Sequence, residues 1–275
     1  TPLYSSAASD VYKRQLYYRS MSPTRSKLTM KKRILRFFGK TKRVVLNRQE
    51  SLDLNSLSIG STVMSQAQAA KAFLSSIKLA SKLRHPNIVQ TMGAVVQRNS
   101  QMHVMERMEN GSMQDVIFNG IIPVDLELVV GVLRDTAKGL RYLHEADPPI
   151  MHGDLKSGNI LVADRLTGKI TDFGMSAVGN RAAGTGGTVL WMAPELLAAM
   201  EDDDLSGSPT LESDVYAYGV LMFELLLGLR PYGELLSSGG NVKDLVREVT
   251  ENDLRPTVPA PNEDGSIGKL GLRVP

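Results

Sequence analysis

The sequence predicts an α+β fold in which a small strand-plus-helix portion is followed by a larger, mainly helical portion. Three observations carry this. Short apolar runs separated by turn residues fill much of the first third of the chain, two long stretches repeat apolar residues at helical spacing, and the joint between the two regimes falls near residues 106–111.

Taken in order, Val44-Val45-Leu46 is apolar enough for one strand within an otherwise basic, polar segment. Over residues 66–84 the residues Phe73, Ile77, Ala80 and Leu83 recur at helical spacing, and His85-Pro86-Asn87 stops the helix because proline cannot continue it. Residues 88–96 and 101–108 read as two antiparallel strands around a turn, and Glu109-Asn110-Gly111-Ser112 breaks the chain. A second helix is predicted over 125–145, with Val129, Leu133, Ala137, Leu140 and Leu143 on one face and Pro148-Pro149 beyond its end. Residues 159–162 and 169–171 flank a turn as a small hairpin, residues 201–210 read as an exposed loop, and a mostly apolar helix covers 213–229.

Composition narrows the function classes. With 42% hydrophobic and 22% charged residues the chain has a soluble globular balance, and its longest apolar run, 220–229, is broken by Glu224 and far short of the ~20 residues a membrane helix needs. Cysteine is absent, which excludes disulfides and thiolate metal sites and fits a reducing, cytoplasmic setting. The first 50 residues carry 13 Lys/Arg against Asp10 and Glu50, a balance of +11, so the remaining 225 sum to −8 within the net +3. The basic character is therefore local, and most such runs are solvated. No aromatic interleaving of the kind nucleic-acid modules use accompanies it, so no nucleic-acid partner is expected. Residues 5–15, SSAASDVYKRQ, resemble a translation of the transposase adapter used in sequencing libraries, and residues 1–15 are set aside as an artefact.

The chemistry is concentrated after Met151, in MHGDLKSGNILV, then KITDFG, then GGTVLWMAPE. Asp154 to Asn159 in a D-L-K-x-x-N pattern, Asp172-Phe173-Gly174, and Ala193-Pro194-Glu195 stand in the order and spacing of the protein kinases, and the chain resembles that family, within it the tyrosine-kinase-like Ser/Thr group, over residues 73–259. The resemblance implies a bilobal kinase fold, ATP and Mg²⁺ as substrate and cofactor, and a protein substrate, with regulatory proteins as candidate further partners. By the family pattern Asp154 accepts or orients the substrate hydroxyl, Lys156 faces the γ-phosphate, Thr188 ties Asp154 to Lys156, and Asn159 and Asp172 are the metal ligands. Oxygen ligands of this kind suit Mg²⁺. Met105 stands at the gatekeeper position, the Glu106 carbonyl and Met108 amide would meet the adenine edge, and Leu161 would floor it. Asp214 matches the buried Asp that braces the catalytic loop, and as a residue following Ser213 it also reads as an ordinary helix N-cap.

Three departures qualify the resemblance. Gly153 replaces the usual Arg before Asp154, so alignment of Asp154 is expected not to need a phosphate on Thr185 or Ser176. The family's strand Lys and helix Glu are both missing: the Glu position is Ser76, no Asp or Glu occurs anywhere in residues 55–104, and Asn47 stands in the nearest strand. Beyond residue 259 the chain ends in a Gly-rich stretch without the Arg that would pair with Glu195, so a buried, unpaired carboxylate and marginal stability are expected. The segmentation that follows is 1–15 artefact, 16–64 a basic segment or degenerate N-lobe start, 65–110 partial N-lobe and hinge, 111–259 C-lobe, and 260–275 tail. Two functions stay open: a phosphotransferase clipped at both ends, or a catalytically impaired kinase-homology domain acting as an interaction or regulatory module.

Overall fold

The computed structural model describes residues 44–49, 66–97, 100–173, 189–201 and 208–270. Apart from Val44 and Val45 these belong to one compact unit, Leu46–Pro275, which is the unit described below. A three-stranded sheet of order β1-β3-β2 is built from β1 (Val44–Gln49), β2 (Thr91–Gln97) and β3 (Ser100–Glu106), with β2 and β3 antiparallel as the alternation predicts. Helix α1 (Gln66–Ala80) lies between β1 and β2 in the chain and buries Phe73 and Ala80. It ends four residues short of the predicted 84. The last turn tightens, with the Leu83 amide bonding Ala80 O at 3.3 Å rather than a carbonyl four residues back, because the chain must turn ahead of Pro86.

The larger portion is helical, giving the α+β bilobal architecture the sequence implies. Helix α2 (Met113–Asn119) was hidden behind the 109–112 break, although Ser112 and Asp115 form a capping box that the S-x-x-D spacing announces. Helix α3 (Leu126–His144) starts at the N-cap Asp125, whose carboxylate accepts from Leu128 N at 2.8 Å. Its buried face contains Val129, Leu133, Leu140 and Leu143 as predicted, but Ala137 is exposed and Thr136 takes the inward position, its hydroxyl bonding Val132 O at 2.8 Å. Each fully buried Val or Leu on this face contributes about 1.5–3 kcal/mol. Gly139 lets α3 approach closely: a Cβ there would lie 2.8 Å from Asn87 O.

A 3₁₀ turn at Ser157–Asn159 leads into the hairpin of β4 (Ile160–Val162) and β5 (Gly168–Ile170), paired antiparallel as predicted. A second such turn, Val189–Trp191, precedes α4 (Pro194–Glu201). Helix α5 (Leu211–Leu227) begins two residues before the predicted 213, and Thr210 caps it through a box with Ser213. Asp214 is therefore not the N-cap: it sits inside the first turn, and its carboxylate is free for other partners. Short α6 (Gly233–Ser237) and α7 (Val242–Glu251) follow, the latter burying Leu245, Val246 and Val249. Residues 261–270 fold back onto the end of α5, where Lys269 N donates to Leu227 O at 2.8 Å and Leu270 packs at Gly228, the left-handed C-cap. No described helix is long and apolar enough to cross a membrane.

Candidate active site

The loop from His152 to Asn159 is fixed by buried polar groups before any reactant is considered. His152 is fully buried and lies edge-on to Phe173 with ring centroids 5.4 Å apart. Its Nδ1 accepts from Asp154 N at 3.2 Å, and since that amide can only donate, Nε2 carries the proton and donates to Thr171 O at 2.9 Å. From α5, Asp214 accepts from His152 N at 2.7 Å and Gly153 N at 2.8 Å, and it also bonds His144 Nε2 at 3.0 Å. Gly153 holds φ at +76°, a conformation that any side chain would strain.

This bracing presents Asp154. Its Oδ2 accepts from Lys156 Nζ at 2.7 Å and Asn159 Nδ2 at 2.9 Å, and Nδ2 also reaches Asp154 O at 2.7 Å. Its Oδ1 is buried and has no donor among the described residues. A buried acceptor left unpaired costs about 1–3 kcal/mol, so a donor placed at that oxygen would be stabilising.

Because both Asn159 amide hydrogens serve Asp154, the Asn159 Oδ1 is the atom left for a ligand. Asn159 and Asp172 line one cleft together with Gly158, Leu161, Met105, Thr171 and Phe173. Asp172 is exposed and adopts φ +66°, a left-handed conformation uncommon outside glycine. Among the described residues no cluster of three or more His, Cys, Asp or Glu could cage a metal. Two oxygen donors in an open cleft instead fit Mg²⁺, which takes one or two carboxylates and fills its shell with water and phosphate oxygens.

At the far end Met105 and Met108 are buried with Val89, and Leu161 and Ala163 pack against them. The Met108 amide has no acceptor among the described residues, whereas Glu106 N donates to Gln90 O at 3.0 Å. Ser76 lines the cleft where a carboxylate was found missing, and its hydroxyl turns back to Phe73 O at 2.8 Å. The adjacent His103, which sequence reasoning missed, bonds Thr91 Oγ1 at 3.0 Å. Burial lowers its basicity, with Asp172 acting in the opposite direction. Thr188, Thr185 and Ser176 lie outside the described residues.

The expectation of a buried, unpaired Glu195 is overturned. Glu195 is exposed in the first turn of α4, so water solvates it and no partner is required. The buried carboxyl is Glu224 on α5, 1% exposed, which accepts from Trp191 Nε1 at 3.1 Å. Burial pushes it up to about 7, against the opposing pull of Ser157 and Trp191, although the Ser157 hydroxyl makes no hydrogen bond of ordinary geometry. A raised carboxyl binds its proton more tightly in the folded state. Its stabilising contribution is full below about 4.5 and is lost as pH rises through about 7. Glu224→Gln should therefore match the wild type in urea unfolding near pH 4.5 and exceed it by about 2–3 kcal/mol near pH 8. A gap that does not change with pH would mean the carboxyl is solvated.

Asp154 is held beside Lys156 and Asn159, and Asn159 and Asp172 line a cleft that Met105 and Leu161 also line; comparison with known proteins supplies the family. The chain matches the model for protein tyrosine and serine/threonine kinases over residues 37–261, and it belongs to that family. It is 36% identical over 182 residues to the probable serine/threonine-protein kinase drkD of Dictyostelium discoideum, covering 66% of this chain and 13% of that protein. It is 37% identical over 175 residues to serine/threonine-protein kinase CTR1 of Arabidopsis thaliana, covering 62% and 20%. To the dual specificity protein kinase shkA of Dictyostelium discoideum it is 29% identical over 194 residues, covering 68% and 35%. The matched region thus spans between about an eighth and a third of these relatives.

Proposed function

We propose that this chain transfers the γ-phosphoryl group of ATP to a Ser or Thr hydroxyl of a protein substrate. The observation that carries the reading is the buried Oδ1 of Asp154, which has no donor among the described residues, beside the Lys156 ammonium and the Asn159 amide. In this reading the substrate hydroxyl donates to that oxygen. Its oxygen bonds the γ-phosphorus as the bond to the β–γ bridging oxygen breaks, ADP leaves, and Asp154 takes the proton. Lys156, already 2.7 Å from Asp154, lies close enough to neutralise the transferred group, and Thr188 would complete the tie between them. Mg²⁺ bound by Asn159 and Asp172 would neutralise phosphate charge. Met105, Leu161, the Glu106 carbonyl and the Met108 amide hold the adenine. Residues 65–110 then serve as partial N-lobe and hinge, 111–259 as C-lobe and 260–275 as tail. The cysteine-free sequence supports a cytoplasmic setting. Preference for Ser/Thr rests on the names of drkD and CTR1, with the dual specificity of shkA as the nearest departure from it.

A second reading, an interaction module without turnover, is favoured by one observation: Ser76 lines the cleft and no acidic residue lies in residues 55–104. The test is incubation of the chain with γ-labelled ATP, Mg²⁺ and a degenerate Ser/Thr peptide mixture. Label on peptide Ser or Thr is expected. Nucleotide binding without any transfer, to peptides or to the chain itself, would establish the second reading.

A further inference from the structure

The turn Ser157–Asn159, which follows Asp154 in the chain, is packed between α2 and α5. Gln114 on α2 faces it: a Cβ on Gly158 would lie 3.1 Å from Gln114 Oε1. One helical turn further on, about 6 Å along α2, the ring of Phe118 carries the guanidinium of Arg230. The Arg230 Cζ lies 5.3 Å from the ring centroid. Arg230 is exposed and stands two residues beyond Gly228, the C-cap of α5, so its side chain ties the end of α5 to α2 beside the catalytic loop. No described carboxylate lies within ion-pair distance of its guanidinium. Asp115 on α2 is engaged instead by Ser112 Oγ at 2.7 Å and Asn119 Nδ2 at 3.0 Å. Glu224 is near enough for Arg230 to favour its charged form, but it is 1% exposed and bonded to Trp191, and burial pushes it up to about 7. An exposed cation without a counter-ion therefore stands on the rim of the proposed transfer site.

We propose that Arg230 selects the protein substrate by binding an anionic side chain, carboxylate or phosphate, about two to four residues from the hydroxyl that Asp154 receives. The guanidinium is a planar fork that bonds either group through two parallel N–H donors. Its place over the Phe118 ring orients the fork before a substrate arrives and lowers the ordering cost of binding. An extended peptide advances about 3.3 Å per residue, so a side chain two to four places from the acceptor lies ~7–13 Å along the chain, the scale of the path from the turn past Gln114 to Phe118. The same rim disfavours a basic neighbour. Gly158 has no side chain and Trp191 closes off Glu224, so neither offers an accessible carboxylate to offset repulsion from Arg230. The inference rests on the phosphotransfer reading above and names the class of substrate for it.

The test uses the full chain and fluorescent peptides with a single Ser acceptor in a neutral background, carrying Ala, Asp, phosphoserine or Lys at each flanking position in turn. For the wild type, kcat/KM is expected to be about tenfold or more higher for Asp or phosphoserine than for Ala at a position two to four residues from the acceptor, and lower for Lys. A larger gain with phosphoserine than with Asp assigns phosphate as the ligand, and the reverse assigns carboxylate. Arg230→Gln should bring these ratios to about one, and Arg230→Glu should invert them in favour of Lys. A substitution that merely disturbed the fold would slow all the peptides together and leave the ratios as they were. Equal rates for the Ala, Asp and phosphoserine peptides with the wild type overturn the proposal, and so do ratios unchanged in Arg230→Gln. If the wild type labels no peptide at all, the phosphotransfer reading fails, and fluorescence anisotropy of the same peptides then decides Arg230 separately. Anionic peptides held by the wild type and released by Arg230→Gln uphold its role, and equal binding by the two removes it.

Discussion

Asp154→Asn should lower the rate of phosphoryl transfer by about 10²–10⁴-fold, the range that a positioned proton acceptor supplies, with nucleotide affinity unchanged. The substitution conserves volume. An Asn carboxamide oxygen can keep the bonds that Lys156 Nζ and Asn159 Nδ2 now make to Oδ2, at 2.7 Å and 2.9 Å. The changed atom is the other one. The buried Oδ1, without a donor among the described residues, becomes an NH₂ group, a donor where an acceptor stood, and it can take no proton from an incoming hydroxyl. On the proposed reading binding and chemistry separate, because the residues assigned there to adenine, Met105, Met108 and Leu161, form a cluster of their own with Val89. Titration of the nucleotide by fluorescence and a single-turnover assay with labelled ATP measure the two effects on one sample. Transfer by Asp154→Asn at the wild-type rate would remove Asp154 from the reaction and with it the main support for the phosphotransfer reading.

Much of the site could be read from sequence because its members lie close together in the chain. Asp154, Lys156 and Asn159 fall within one turn, and the hairpin of β4 and β5 places Asp172 beside Asn159, so local spacing alone implied their convergence. What escaped depended on pairings between distant segments. Nothing in the neighbourhood of Glu106 announces Lys169, which is 63 residues away, and nothing near Trp191 announces Glu224, which is 33 away. Glu195 was misjudged for the same reason: its burial is set by how α4 packs, which a motif does not encode. Among the helices, α3 was legible because its apolar residues repeat over five turns, although Thr136, whose hydroxyl bonds Val132 O, turns inward in place of Ala137. Helices α2, α4, α6 and α7 have 10 residues or fewer, too short for periodicity to stand out, and only their capping boxes at Ser112 and Asn241 were there to be read.

Asp214, which the resemblance expects to be buried and to brace the catalytic loop, does so through the amides of His152 and Gly153, and its replacement is expected to have the largest effect on stability. Read as an N-cap it would have been worth about 1 kcal/mol. Inside the first turn of α5, with Thr210 doing the capping, it is 1% exposed and takes bonds from three donors on two other segments: His152 N, Gly153 N and His144 Nε2. Asp214→Ala leaves one buried and one partly buried amide without this acceptor and removes a charged partner, for an expected loss of about 3–5 kcal/mol. In a chain of this size that corresponds to a fall of roughly 10 °C in Tm. Asp214→Asn retains one acceptor but turns an NH₂ group toward a backbone donor, so it should recover only part of the loss. Transfer activity should fall in both variants even at temperatures where they remain folded, because the amides Asp214 holds are those of the two residues before Asp154, and loosening them shifts the reacting oxygen. Thermal unfolding followed by activity well below each Tm separates the two consequences. A loss below about 1 kcal/mol for Asp214→Ala would mean that the loop keeps its shape through His152 and Thr171 alone, and that helix α5 supports the site only by packing.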